Sequence, residues 1–218
     1  MKQIQSNNQT LSSMQGQEIV AATSNIHKFK ELKVVTERYG VKLCHPSHVA
    51  KEKGLSPIGE ILENGNTYRE NAFIKAMAYM KWSGMNAIGD DSGLEIPMLD
   101  NRPGIYSARY GGVVLSDYDR INVLLDEITN AWKQTGLQDD RAVFKCSLAF
   151  VRTDGTVYYA DSELWGTVLT QCRGTNGFGY DPIININDLG KTLAEVDFPT
   201  TCKHGFRAKA AQQLFANN

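Results

Sequence analysis

The chain has 218 residues, of which 42% are hydrophobic and 22% charged, and its formal net charge is −1. This length and composition suit one large domain, or two small lobes on a shared sheet, with a sizeable core. The near-neutral charge excludes a general nucleic-acid-polymer binder, which carries a basic excess.

A polyanion must therefore be met by local lysines, which fits a small phosphorylated ligand. Cys44, Cys146, Cys172 and Cys202 form no CxxC pair and read as reduced thiols. Cys44, His45 and His48 lack a second ligand pair, so no metal is expected there. No segment approaches the roughly 20 apolar residues of a membrane span, and the expected compartment is the cytoplasm. Residues 1–17, rich in Gln, Ser and Asn, read as a poorly ordered extension; residues 18–218 read as the domain.

Ile19–Ala22 is a short apolar run and predicts a buried strand. Thr23-Ser24-Asn25 follows, and a helix is predicted over 27–37. Backbone N–H groups and Lys28 then lie near a helix N-terminus, a place that suits an anion. Residues 45–66 read as a loop. A second helix is predicted over 67–83, with Tyr68, Ala72, Ala76 and Met80 as its buried stripe and Asn71 and Lys75 on another face. Ala87-Ile88 reads as a short strand ending in Asp90-Asp91-Ser92-Gly93, with strand resuming at Leu94. Ile121, Leu124, Leu125, Ile128 and Trp132 mark a helix over 117–132. Alternation from Ala142 to Phe150 predicts a half-buried strand, followed by strands at 156–160 and 164–169. A mixed β-sheet flanked by helices is the expected α/β architecture.

Glu63, Glu70, Asp90 and Asp91 gather around the second helix and the strand after it. Adjacent strand residues face opposite ways, so one aspartate of the pair would enter a given cleft. Carboxylates there suit Mg²⁺, which takes one or two of them plus phosphate oxygens and water; a solvated turn is the alternative. Lys28, Lys75 and Lys191 supply cations, and carboxylates with cations are what phosphoryl chemistry needs. Gly174–Pro182 carries three glycines with Phe178 and Tyr180, which suits close approach to a ligand or a plain hairpin connection. Walker A and dinucleotide fingerprints are both absent.

With these motifs in order, the sequence resembles the inosine triphosphate pyrophosphatases, which remove non-standard purine nucleotides. The resemblance runs from about residue 18 to 215 through Ala22–Lys28, Glu70–Ala76, Asp90–Leu94, Pro103–Gly111, Gly174–Pro182 and Lys191–Glu195. It implies an elongated mixed sheet with two lobes and a cleft between them. It also implies a homodimer, a Mg²⁺ requirement, and hydrolysis of ITP, dITP or XTP to monophosphate and pyrophosphate.

By the resemblance, Asp91 is the general base and shares the metal with Glu63. Thr23, Ser24, Asn25 and Lys28 form the triphosphate turn, and Lys75 is a second phosphate contact. Ser92 touches substrate, Phe178 stacks on the base, and Asp181 hydrogen-bonds near it, with Gly179 and Tyr180 in the same segment. The family ends with a lysine and then Ser-His-Arg. Here Arg207 stands, but Gly205-Phe206 precedes it and Thr201 holds the lysine's place. Losing polar partners from a base pocket changes selectivity. The same chemistry on another nucleotide, or nucleotide binding without turnover, are the competing expectations.

Overall fold

The computed structural model describes residues 16–216. In chain order its elements are β1 (Glu18–Ala22), α1 (Ile26–Arg38), β2 (Lys42–Cys44), α2 (Pro46–Lys53), α3 (Tyr68–Ser83), β3 (Ala87–Ile96) and β4 (Arg102–Pro103). Then follow α4 (Asp117–Thr135), β5 (Arg141–Val151), β6 (Val157–Val168), β7 (Ile184–Ile186), β8 (Lys191–Thr192), α5 (Phe198–His204) and α6 (Phe206–Ala216). The strands form one eight-stranded sheet in the order β2-β1-β3-β5-β6-β7-β8, with β4 on β3. β1 is parallel to β2 and β3, whereas β3–β4, β6–β7 and β7–β8 are antiparallel. The fold is the expected mixed α/β sheet flanked by helices. No helix among the described residues is long and apolar enough to cross a membrane.

Most of the expected N-terminal extension lies outside the described residues. Gly16 donates its N–H to the Gly40 carbonyl at 2.8 Å, and the Gln17 carbonyl accepts from Lys42 N–H at 2.9 Å.

The chain divides into two compact units. The first holds the described residues up to Asp91, Cys146–Ser162 and the described residues from Cys202 onward. Its Ile19, Val20 and Ala21 are fully buried, as a parallel strand covered on both faces must be. One cluster joins Val20, Ala22, Cys44, Val49, Tyr79 and Ala87, and a second joins Ala72, Ala76, Ala149, Val151 and Val157. Within α3, Ala72 and Ala76 are buried as expected, Tyr79 joins them, and Tyr68 and Met80 are only partly covered.

The second unit holds Ser92–Lys145 and Glu163–Thr201. There α4 starts at its Ser116 cap, buries Ile121, Leu124 and Ile128, and runs to Thr135 before Gly136. Buried Arg120 donates to the carbonyls of Tyr110, Gly112 and Leu115 and so fixes the loop before α4.

Four local expectations change. The loop at 45–66 contains α2, which has His45 as its cap, Pro46 at the first position and left-handed Gly54 at its end; Pro at the start and Gly past the end are a helix's own signals. Asp90-Asp91-Ser92-Gly93 is not a turn after a strand but the middle of β3. The strands expected at 156–160 and 164–169 are one strand, β6. Its polar centre does not break it, because Asp161 bonds Arg69 and Ser147, and the Ser162 hydroxyl donates to the Phe206 carbonyl. Finally, β5 is covered on both faces except at Arg141 and Lys145, so its alternation understates its burial.

Candidate functional site

The turn after β1 is built by its own side chains. Asn25 caps α1: its Oδ1 accepts from the N–H of His27 at 2.9 Å and of Lys28 at 3.3 Å. Thr23 Oγ1 accepts from Asn25 N–H at 3.1 Å, and Ser24 is exposed. Two of the N–H groups expected to face an anion are therefore taken by the cap. The cation there is Lys28, whose side chain points away from the cap toward β3.

On β3 the two aspartates part. Asp90 is buried, and its Oδ1 accepts from Lys28 Nζ at 2.6 Å while its Oδ2 accepts from Arg207 Nε at 2.7 Å. The buried Cys146 thiol also donates to Oδ2, at 3.3 Å. Arg207 in turn donates to Glu31 Oε2 at 2.8 Å, and its guanidinium lies 5.0 Å from the centre of the Phe206 ring. Burial by itself would raise the Asp90 pKa, but Arg207 and Lys28 overcome it and hold this carboxyl far below the usual range. Burial works against the Arg207 charge as well, and Asp90 and Glu31 overcome it, so Arg207 stays charged. Burial and the Asp90 charge together push the Cys146 thiol well up, so it stays protonated. The charges of this group are paired with one another, which is how buried charges are tolerated.

Asp91 faces α3. Its Oδ1 accepts from Lys75 Nζ at 3.0 Å and its Oδ2 from Asn71 Nδ2 at 3.3 Å. Lys75 Nζ also lies 2.7 Å from Glu63 Oε2. Asn71 Oδ1 accepts from Gly65 N–H at 2.9 Å, so one asparagine ties the loop carrying Glu63 to α3 and touches Asp91. A Cβ at Gly65 would fall 2.7 Å from that Oδ1, so only glycine allows the approach. Likewise a Cβ at Gly89 would fall 2.1 Å from the Ala72 carbonyl oxygen; the bare strand lets α3 lie close enough for Asn71 and Lys75 to reach Asp91. Burial raises the Asp91 pKa, against Lys75 and Lys28, and the Glu63 charge adds to the rise. Burial opposes the Lys75 charge, but Asp91 and Glu63 overcome it and raise the lysine pKa.

Glu63 and Asp91 are thus two carboxylates around one cation. Among the described residues no group of three or more His, Cys, Asp or Glu side chains is arranged for a metal. A pair of oxygen ligands suits Mg²⁺, which keeps waters and takes phosphate oxygens. Glu70, grouped with these acids from the sequence, does other work: its side chain accepts from Asn66 and Thr67 N–H and completes the capping box of α3.

In the second unit, Gly174–Pro182 is organised by two aspartates. Buried Asp181 accepts from Phe178 N–H at 2.9 Å, and Asp117 accepts from Gly179 N–H at 2.7 Å. Phe178 is half-buried, whereas Tyr180 is buried with its hydroxyl donating to the Ser107 carbonyl at 3.1 Å. Ser92 is half-buried on β3, and Thr201 is half-buried on α5. In the first unit, Gly205 is buried between α5 and α6, and Phe206 is buried at the start of α6.

Glu31 and Cys146 join the charge cluster without any sequence signal that named them. The only hint was Glu31 three residues after Lys28 on one helix, a spacing that puts both on one face.

The comparisons with known proteins agree with one another. The Ham1 family model matches residues 19–217. The dITP/XTP pyrophosphatase of Bacillus licheniformis is 36% identical over 202 residues, 91% of this chain and 96% of its own. The dITP/XTP pyrophosphatase of Listeria monocytogenes is 35% identical over 198 residues, 90% of this chain and 92% of its own. Among solved structures, a HAM1 protein from Coxiella burnetii superposes with a TM-score of 0.79 at 31% identity, covering 91% of this chain and 96% of that one. The Ham1 protein of Staphylococcus aureus gives 0.76 at 33% identity, with the same coverage.

Proposed function

The chain belongs to the Ham1 family, and from that membership and the Asp91 geometry we propose that it hydrolyses dITP and XTP to the monophosphate and pyrophosphate. The activity is carried by its relatives' shared name over nearly their full length. The observation that supports it most within the molecule is Asp91, a carboxylate with a raised pKa held between Asn71 and Lys75. A carboxylate whose pKa is raised is a stronger base than an ordinary one.

Glu63 and Asp91 are the residues that would hold Mg²⁺, which when bound supplies Lewis-acid charge to the phosphate oxygens. Asp91 takes the proton of the attacking water, and Asn71 keeps the carboxylate oriented. Lys75 neutralises phosphate charge. Lys28 and the Thr23-Ser24-Asn25 turn lie at the start of α1, where phosphate oxygens find a positive end. Phe178 offers a face for the base, and Asp181 keeps its loop in shape.

Identifying the products from dITP separates this reaction from its neighbours. The proposal predicts dIMP and pyrophosphate; dIDP and inorganic phosphate would refute it.

A second reading, the same chemistry on another base, is favoured by the Phe206 and Arg207 arrangement. Arg207 is committed to Asp90 and Glu31, and a phenyl ring stands where the family carries histidine. A homodimer and a cytoplasmic location complete the proposal; they rest on the resemblance and on four unpaired thiols. Sedimentation analysis tests the first, with a monomer as the contrary result.

A further inference from the structure

The Lys75 ammonium sits between the two carboxylates proposed to hold the metal. Its Nζ lies 2.7 Å from Glu63 Oε2 and 3.0 Å from Asp91 Oδ1, and its side chain is only 12% exposed. Each contact is to a carboxylate proposed to hold the metal, so ammonium and metal compete for the same pair of ligands. We propose that Lys75 is a built-in place-holder for the divalent cation, displaced toward the substrate phosphates when the metal enters. The proposal rests on the assignment of Glu63 and Asp91 as metal ligands.

Three features support an exchange in place of a permanent ion pair. Lysine is a compact charge on a flexible four-carbon stem, so its head can leave while the stem stays packed on α3. The second Asp91 oxygen is held separately by Asn71 at 3.3 Å, and the same Asn71 anchors Gly65 at 2.9 Å. Asp91 therefore keeps its place when the ammonium moves, and the loop that carries Glu63 stays tied to α3. Glu63 is 33% exposed, which gives an incoming hydrated ion a route to the pair.

Lys28 provides the contrast. It meets Asp90, whose other oxygen is taken by Arg207, and Asp90 is sealed from solvent. An incoming ion finds no solvent-open carboxylate there, so the exchange is confined to the acids around Lys75.

The exchange couples the two ligands. Metal entry frees a cation for phosphate, and by reciprocity phosphate binding favours metal entry.

The test uses the wild-type protein without nucleotide. Lysines are acetylated briefly with and without Mg²⁺, and the Lys75 peptide is followed by mass spectrometry against exposed Lys42 as the reference. Labelling of Lys75 is expected to rise severalfold with Mg²⁺; unchanged or slower labelling, with Mg²⁺ binding confirmed by calorimetry, overturns the proposal. In a second arm, Lys75→Met removes the competing charge, and Mg²⁺ binding at pH 8 is expected to tighten by about tenfold. Equal or weaker binding in that variant also overturns it. Pyrophosphate release from dITP by the same preparation reports separately on the proposed function: turnover without either effect sinks the exchange alone.

Discussion

Asp90 and Asp91 are neighbours on one strand, yet they turn to different cations: Asp90 accepts from Lys28 and Arg207, while Asp91 accepts from Asn71 and Lys75. The alternation of a strand sends one carboxylate to each face. One becomes a buried structural charge with a depressed pKa, and the other a basic group with a raised one. Adjacent residues of the same type thus acquire different chemistry from what lies on either side of β3.

Asp91→Asn keeps the shape and the contact region but removes the proton acceptor. The expected loss in turnover is about 10²–10⁴-fold, the usual contribution of a positioned base. Thermal unfolding should shift little. Near-normal turnover in this variant would remove Asp91 from the role of base.

Arg207→Met leaves Asp90 and Glu31 buried without their shared cation. Breaking a buried charge cluster costs about 3–5 kcal/mol, to be read from denaturant unfolding. The sign with pH follows from Asp90: its depressed folded pKa gives stability that is present above the unfolded value and is lost as pH falls through the folded one. The variant should therefore lose stability at neutral pH, where the wild-type cluster is fully charged. Unfolding curves that coincide at neutral pH would contradict the cluster's structural role.

The acid side of the profile of kcat/KM against pH follows Asp91. The base works ionised, and its pKa is raised by burial, so activity should fall with decreasing pH sooner than for an ordinary carboxylate. Lys75 opposes that rise, so Lys75→Met should move the acid limb to still higher pH. A limb that moves downward in this variant would show that another group is being titrated.

Gly89→Ala tests the approach of α3 to β3. The added Cβ would collide with the Ala72 carbonyl oxygen and the Ala76 backbone nitrogen. Overpacking of this kind costs about 1–3 kcal/mol, and activity should drop with it because Asn71 and Lys75 ride on the displaced helix. Wild-type stability and activity together would show that the contact is not tight.

Much of the frame was legible in the sequence because it is local. The period of Ile121, Leu124 and Ile128 marks α4, the run Ile19–Ala22 marks a buried strand, and the spacing of Asn71 and Lys75 puts both on the helix face that meets Asp91. What could not be read depends on distant partners. Glu31, Asp90, Cys146 and Arg207 come from four separate stretches of the chain, and only the fold makes them one cluster. The unbroken course of β6 was hidden for the same reason, since Asp161 and Ser162 look like turn residues until Arg69, Ser147 and the Phe206 carbonyl meet them. Glu70 was misleading in the other direction: an acid near the site proved to be a cap, a role its spacing from Thr67 does encode.

Selectivity for non-standard purines is read from kcat/KM for pyrophosphate release from dITP and XTP beside the four standard deoxynucleoside triphosphates. A preference of about 10²-fold or more for dITP and XTP is expected. Equal rates across the panel, or preference for a pyrimidine, would contradict it and assign the Phe206 and Arg207 arrangement to a different base.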